Sequence, residues 1–224
     1  MSKTFVLCHT QDFVINSIKE NKYSGFENHY FVFMGMSQTD KIEGIENVII
    51  CKNLTENIEE QKNCLQYCGW YALYYNGLID TDYVRIIDYD IDIVMFNNKT
   101  DYKVKSGVGF NYDFYFLNGF GNQNKFISTI NEYIGGDINT LINDYSIKFN
   151  QYRWFSSIDV LINKQTFFDF MDWFKPIYEK NKNEHYFGMF FERYLNIFLI
   201  VKNIDYTITE NEIIHKQLKS HGYY

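Results

Sequence analysis

Hydrophobic residues fall in short unbroken runs along the first half of the chain. "TFVLCHT", "HYFVFMG" and "NVIICKN" are rich in β-branched and aromatic residues, the pattern of strands covered on both faces. "QDFVINSIKEN", after the first run, mixes polar and apolar residues and predicts a short helix. Gly35 ends the second strand. "LTENIEEQKNCLQYCGWYALYYNGLI" predicts a long helix. Thr55 is its candidate N-cap, acidic residues fill its first turn, and Asn76-Gly77 closes it. Its apolar positions, among them Ile58, Leu65, Tyr71, Ala72 and Tyr75, recur at helical spacing. "TDYVRIIDYDIDIV" is a fourth strand. The order β(α)ββαβ is that of a three-layer α/β domain.

The second half is less regular. "DYKVKSGVGFNYDFYFLNGFGNQ" predicts a loop or a hairpin, and "IGGDINTLINDY" a short helix with Asp137 near its start. "QYRWFSSIDVLINKQTFFDFMDWFKPIYEKN" reads as a strand, a tight connection and an amphipathic helix from about Lys164. "EHYFGMFFERYLNIFLIVKN" is a long apolar helix containing one charged pair, Glu192-Arg193. The tail reads as a last strand and a polar, His-bearing end. A single Pro and no internal repeat give one continuous domain over the 224 residues.

Composition narrows the function classes. The formal net charge of −7 argues against a general nucleic-acid binder, which needs a basic footprint. It leaves room for a small phosphorylated ligand. Aromatic residues make up 20% of the chain, which fits an A/T-rich coding sequence and would also suit stacking on a base or sugar. Cys8, Cys51, Cys64 and Cys68 lack the second paired set that a zinc site requires, and read as free thiols of a reducing compartment. No apolar run reaches the length of a membrane span, so a cytoplasmic location is expected, the host cytoplasm if the chain is viral.

The chemistry concentrates at the end of the fourth strand, where Asp88, Asp90 and Asp92 follow "YVRII". Residues two apart in a strand share a face, so Asp88 and Asp90 stand side by side. Adjacent carboxylates repel unless a cation lies between them, and a hard divalent ion carrying phosphate oxygens meets that demand. The competing reading is a solvated strand end running into a turn.

At this point the chain resembles a GT-A-type glycosyltransferase. "TFVLCHT" corresponds to a first nucleotide-binding strand, "DYVRIIDYD" to the strand ending in D-x-D, and "RWFSSIDVLINKQTFFDFMDWF" to an acceptor-side strand and helix. "HYFGMFFERYLNIFL" resembles the G-x-x-x-E-R helix of small bacterial and viral sugar transferases. Size and layout resemble the small glycosyltransferase domains of large DNA viruses. The resemblance implies a single GT-A-like α/β domain, a central mixed, mostly parallel sheet flanked by helices. Residues 1–95 would form the nucleotide-sugar-binding half and 96–224 the acceptor-side half. It implies transfer of a hexose or deoxyhexose from a UDP-sugar to a glycan, glycoprotein or other hydroxyl acceptor, with Mn²⁺ or Mg²⁺ as cofactor.

The resemblance also distributes roles. Asp88 would meet the ribose or the metal and Asp90 would ligate the metal. His9, Thr10 and Gln11, after the first strand, would cradle the nucleotide; His9 is equally readable as an ordinary loop histidine. Gln61, Gln66 or Tyr67 would pass near the base. Arg85 has two readings, a salt bridge in the core and a phosphate contact. Glu192 is the first candidate for the base of an inverting reaction, with a structural pairing to Arg193 or another cation as the alternative. Asp159 is the second candidate, and Asp113 and Asp137 are further ones. His215, or else His221, would join the metal, with Lys216 and Lys219 near the diphosphate. Two rival classes remain: a metal-dependent nucleotidyltransferase, and a nucleotide- or glycan-binding module of the same fold without transfer.

Overall fold

The structure is a computed structural model and describes residues 2–9, 12–20, 28–35, 39–61, 63–64, 66–88, 108–112, 123–149, 159–184 and 187–212. Its strands are β1 (Ser2–Cys8), β2 (His29–Phe33), β3 (Val48–Ile50), β4 (Tyr83–Asp88), β5 (Val108–Tyr112), β6 (Asp159–Asn163) and β7 (Thr207–Glu212). Its helices are α1 (Asp12–Lys19), α2 (Tyr67–Tyr75), α3 (Gln123–Ile134), α4 (Ile138–Phe149), α5 (Lys164–Asn181) and α6 (Phe187–Lys202).

The seven strands form one sheet in the order β3-β2-β1-β4-β6-β5-β7. The β1–β2, β1–β4, β2–β3 and β5–β7 ladders are parallel, and only the two ladders of β6 are antiparallel. The sheet is therefore mixed and mostly parallel, as expected. Because only β6 runs the other way, the carboxyl ends of the other six strands lie along one edge. Asp159, which opens β6 opposite Ile87, lies there too.

Alternation along the strands sorts side chains between two layers. Phe5, Leu7, Val32, Val84 and Ile86 face a large cluster with α2, α5 and α6. Val6, Cys8, Phe31, Phe33 and Ile87 face a small one with Val14, Ile15 and Ile18 of α1. The strands carry apolar residues on both sides because both sides are covered. Crossovers between parallel strands are right-handed, so connections that travel in opposite directions put their helices on opposite faces. The step from β1 to β2 lays α1 on one face, and the return from β3 to β4 lays α2 on the other.

Local signals account for several helix ends. Asp12 in the first turn of α1 and Lys19 in its last suit the helix dipole. The Asn163 side chain accepts the Thr166 N–H at 2.7 Å and starts α5 at Lys164, as the sequence predicts. Asp137 Oδ1 accepts the Asn139 N–H at 3.1 Å, which makes this acidic residue a cap for α4. α6 is buried around most of its circumference, including Arg193 and Asn196 at 2% exposure each.

Two expectations need correction. The helix predicted from Thr55 begins only at Tyr67. Residues before it are held by competing local bonds: Asn57 Nδ2 donates to Leu54 O at 2.9 Å, and Asn76 Nδ2 to Glu56 O at 2.7 Å. Second, the stretch given over to a loop or hairpin holds β5 and is followed by the helix α3, which was not predicted.

Candidate functional site

The strand order 3-2-1-4 reverses between β1 and β4, and the helices diverge there to opposite faces. In open α/β sheets, a crevice for a ligand lies outside the carboxyl ends of the strands at such a switch point. Here those ends carry His9 and Asp88, with Leu7 opposite Asp88 across the ladder. The Asp88 charge is felt in the sheet: burial first, and then Asp88, push the Cys8 thiol well above its ordinary range.

His9 is partly buried, and its Nδ1 lies 3.3 Å from the Met34 carbonyl oxygen beyond the tip of β2. As a neutral ring donating from Nδ1, it keeps Nε2 as the acceptor nitrogen. The backbone closes the same corner, with Met34 N–H donating to Cys8 O at 2.9 Å. Gly35 follows with φ +63°, a conformation that suits glycine. Its N–H donates to the Glu59 carboxylate. Glu59 was not singled out from the sequence. Its only signal was its place in an acidic run that resembled a helix start.

The first turn of α2 comes down onto this edge. A Cβ on Gly69 would stand 2.6 Å from Leu7 Cδ2 and 3.0 Å from Met34 Sδ, so a larger residue there would have to push the buried Leu7 and Met34 side chains aside. Gln66, just before the helix, is 4% exposed. Among the described residues, both of its amide atoms, the Tyr67 hydroxyl and the Trp70 indole nitrogen are buried without a hydrogen-bond partner. Buried polar atoms are ordinarily satisfied, so a concentration of unpaired ones at a sheet edge is a place where a ligand or water gains bonds. Gln66 thus lies on the Asp88 side of the sheet, within the layer that Val84 and Ile86 face.

α6 reaches the same edge. Tyr67 packs against Phe187 and Phe191 at ring distances of 5.8 and 4.8 Å, and Trp70 meets Phe191 at 5.4 Å. Glu192 follows Phe191 in the helix; its side chain lies outside the described residues. The Gly188 N–H donates to Asn63 O at 2.8 Å and ties α6 to the segment before α2.

Asp159 and Arg85 meet on the opposite face, below the edge. Arg85 Nε and Nη2 donate to the two Asp159 carboxylate oxygens at 2.9 and 2.8 Å, with both residues buried. Of the two readings of Arg85, the structure holds the core salt bridge. A carboxylate gripped at both oxygens and 2% exposed is poorly placed to reach an acceptor hydroxyl, so its task here is structural.

Thr10, Gln11, Asp90, Asp92, Asp113, His215 and His221 lie outside the described residues, as do Lys216 and Lys219. The strands that precede several of them can be placed: β4, β5 and β7 all end on the edge that carries His9 and Asp88. Among the described residues no group of three His, Cys, Asp or Glu side chains could hold a metal ion, and the four cysteines are free and buried. No described helix is long and apolar enough to cross a membrane.

No protein-family model matches the chain, and no curated protein sequence matches it. Among solved structures, the chain is similar to the apo structure of the WbbM bifunctional glycosyltransferase, with a TM-score of 0.54 at 12% identity. The match covers 96% of this chain and 45% of that one, so the chain spans less than half the length of that protein. At this identity the likeness concerns the fold: a single α/β domain with a mostly parallel mixed sheet flanked by helices, as in a glycosyltransferase.

Proposed function

We propose that the chain is a GT-A-type glycosyltransferase of the small kind found in bacteria and large DNA viruses. It moves a hexose or deoxyhexose from a UDP-sugar to a hydroxyl of a glycan or glycoprotein. The observation that carries this reading is Asp88 at the end of β4, across the switch point from His9. Residues 1–95 supply the donor site in this reading and residues 96–224 the acceptor side.

Asp88 offers the hard oxygen ligand that Mn²⁺ or Mg²⁺ prefers, and its charge already burdens the neighbouring thiol. Asp90 and His215 are its proposed partners. A divalent ion bound there would neutralise the charge that a nucleoside diphosphate gains as it leaves.

The chain's own residues do the rest. His9, Thr10 and Gln11 border the diphosphate at the end of β1. Gln66 satisfies its buried carboxamide on the nucleotide. Glu192 takes the proton of the acceptor hydroxyl in an inverting reaction. Phe191 and the aromatic rings around it are expected to keep that carboxylate in a poorly solvated place, where its affinity for a proton rises.

Calorimetry with UDP and manganese tests the donor site, and hydrolysis of UDP-sugars tests turnover. Asp90→Ala should abolish metal-dependent UDP binding without lowering the melting temperature. Glu192→Gln should leave that binding intact and reduce transfer by about 10²-fold or more. A wild-type chain that binds no UDP at saturating manganese would refute the reading. UDP binding without any sugar transfer or hydrolysis would reduce it to a binding module.

A further inference from the structure

We propose that Glu59 reads the ribose of the donor, accepting hydrogen bonds from its vicinal hydroxyls; the assignment rests on the nucleotide-sugar reading above. Glu59 belongs to the segment between β3 and α2, yet its carboxylate is delivered to the tip of β2, where it accepts the Gly35 N–H. Gly35 in turn lies beside His9, since a Cβ built on it would stand 3.7 Å from His9 Nδ1. The carboxylate is thus fixed at the tip of β2, beside the end of β1. Its backbone is held as well, with Glu59 N–H directed at Asn57 Oδ1 at 3.4 Å.

Where a nucleotide lies across the carboxyl ends of a parallel sheet, an acidic group near the end of the second strand meets the ribose while the phosphates lie over the first strand. In this chain the residue comes from elsewhere in the sequence, 24 positions after Gly35, but reaches the equivalent place. Charge supports the same assignment. A carboxylate only accepts hydrogen bonds and repels phosphate. In a nucleoside diphosphate the paired donors are the ribose hydroxyls. β2 and β4 flank β1, so the strands carrying Glu59's anchor and Asp88 are two spacings apart, roughly 10 Å. That separation keeps the ribose carboxylate away from the pyrophosphate and its cation.

The full chain is titrated with UDP, 2′-deoxy-UDP and 3′-deoxy-UDP at saturating manganese. Wild type should bind one or both deoxy analogues about tenfold more weakly than UDP, the worth of a charged hydrogen bond. Glu59→Ala should bind UDP about as weakly as wild type binds the weaker analogue, and should no longer discriminate. Glu59→Gln guards against a folding defect. Its carboxamide keeps an oxygen for the Gly35 N–H, while its other group donates and cannot accept the diol. It too should lose the discrimination. Equal wild-type affinity for all three nucleotides overturns the assignment and leaves donor binding standing. Loss of the same factor from all three in both variants marks Glu59 as a scaffold residue and also overturns it. A wild-type chain that binds none of them removes the assignment together with the transferase reading.

Discussion

On one face of the sheet, Trp70 stacks on Phe167 at 5.3 Å and Phe170 on Phe174 at 5.7 Å, and Tyr67 touches residues of both α5 and α6. On the other face, a few aliphatic side chains of α1 cover Val6, Phe31 and Ile87, and the Arg85–Asp159 ion pair lies beside them. The first face gains its stability from apolar area and ring contacts. The second includes two charges that must hold each other to be tolerated at all. The crevice opens between these two layers. The aromatic layer presses α2 onto the strand ends, and the ion pair binds β4, which carries Asp88, to the one antiparallel strand.

The contrast between the two faces depends most on one charge. Arg85→Met takes the guanidinium away from the buried Asp159 carboxylate, and should lower stability by about 3–5 kcal/mol in urea denaturation. The double variant Arg85→Met/Asp159→Leu should recover most of that loss, because an apolar pair needs no desolvation. Recovery with UDP affinity intact would make the pair a local solution to packing. Recovery with UDP affinity lost would show that the ion pair orients the end of β4. A single variant as stable as wild type would refute the contrast between the faces.

The aromatic face is tested by overfilling it. Gly69→Ala places a methyl group within 2.6 Å of Leu7 Cδ2 and should cost about 1–3 kcal/mol. Since α2 must then lift from β1, UDP affinity should fall along with stability. Adding Leu7→Ala opens room for the methyl group, so the two substitutions should cost less together than the sum of their separate effects. Strict additivity would mean that the close approach of helix and strand does not set the position of α2.

How much of this was legible depended on which interactions are local. β1, β2, β3 and β4 announce themselves because a strand covered on both faces is an apolar run, whatever covers it. α5 was equally readable from about Lys164, since its apolar spacing is local, whereas the Asn163 cap came from the structure. The start of α2 was not. Glu56, Glu59 and Glu60 imitate an acidic first turn, while Glu59 in fact serves Gly35 across the strand tips. Asp88 was found from its place after an apolar run. The Arg85–Asp159 pair joins residues 74 positions apart, so the sequence offered a core salt bridge for Arg85 only as one of two readings and could not name its partner. Glu59 required the fold itself, because its meaning lies in the strand it reaches and not in the residues beside it.

Alkaline pH separates the two faces through small effects at single buried groups. Burial first, and then the Glu59 charge, push the Cys51 thiol up to about 12 from an ordinary 9.0. Burial raises Tyr67, Tyr145, Tyr178 and Tyr194 as well, all of them in the aromatic cluster. These groups keep their protons in the folded chain after the unfolded chain has begun to lose them. The unfolded state then binds fewer protons, so stability falls as pH rises. For Cys51 the loss begins near pH 9 and continues toward about 12, with no effect below the unfolded value. By pH 9.5 this one thiol should account for on the order of 1 kcal/mol. Urea midpoints measured from pH 7 to pH 10.5 should therefore be flat at first and then decline. Cys51→Ala should make the decline shallower. Cys8→Ala should do the same on the α1 face, where Cys8 is the raised thiol and the raised tyrosines are not found. The Cys68 thiol is raised too, by its contact with Cys64 and by burial. With Cys8, Cys51 and Cys68 all replaced, the decline that remains belongs to the tyrosines of the aromatic face and should set in nearer pH 10. A decline that vanished entirely in that triple variant would mean the tyrosine hydroxyls are far better solvated than the packing of α2, α5 and α6 implies.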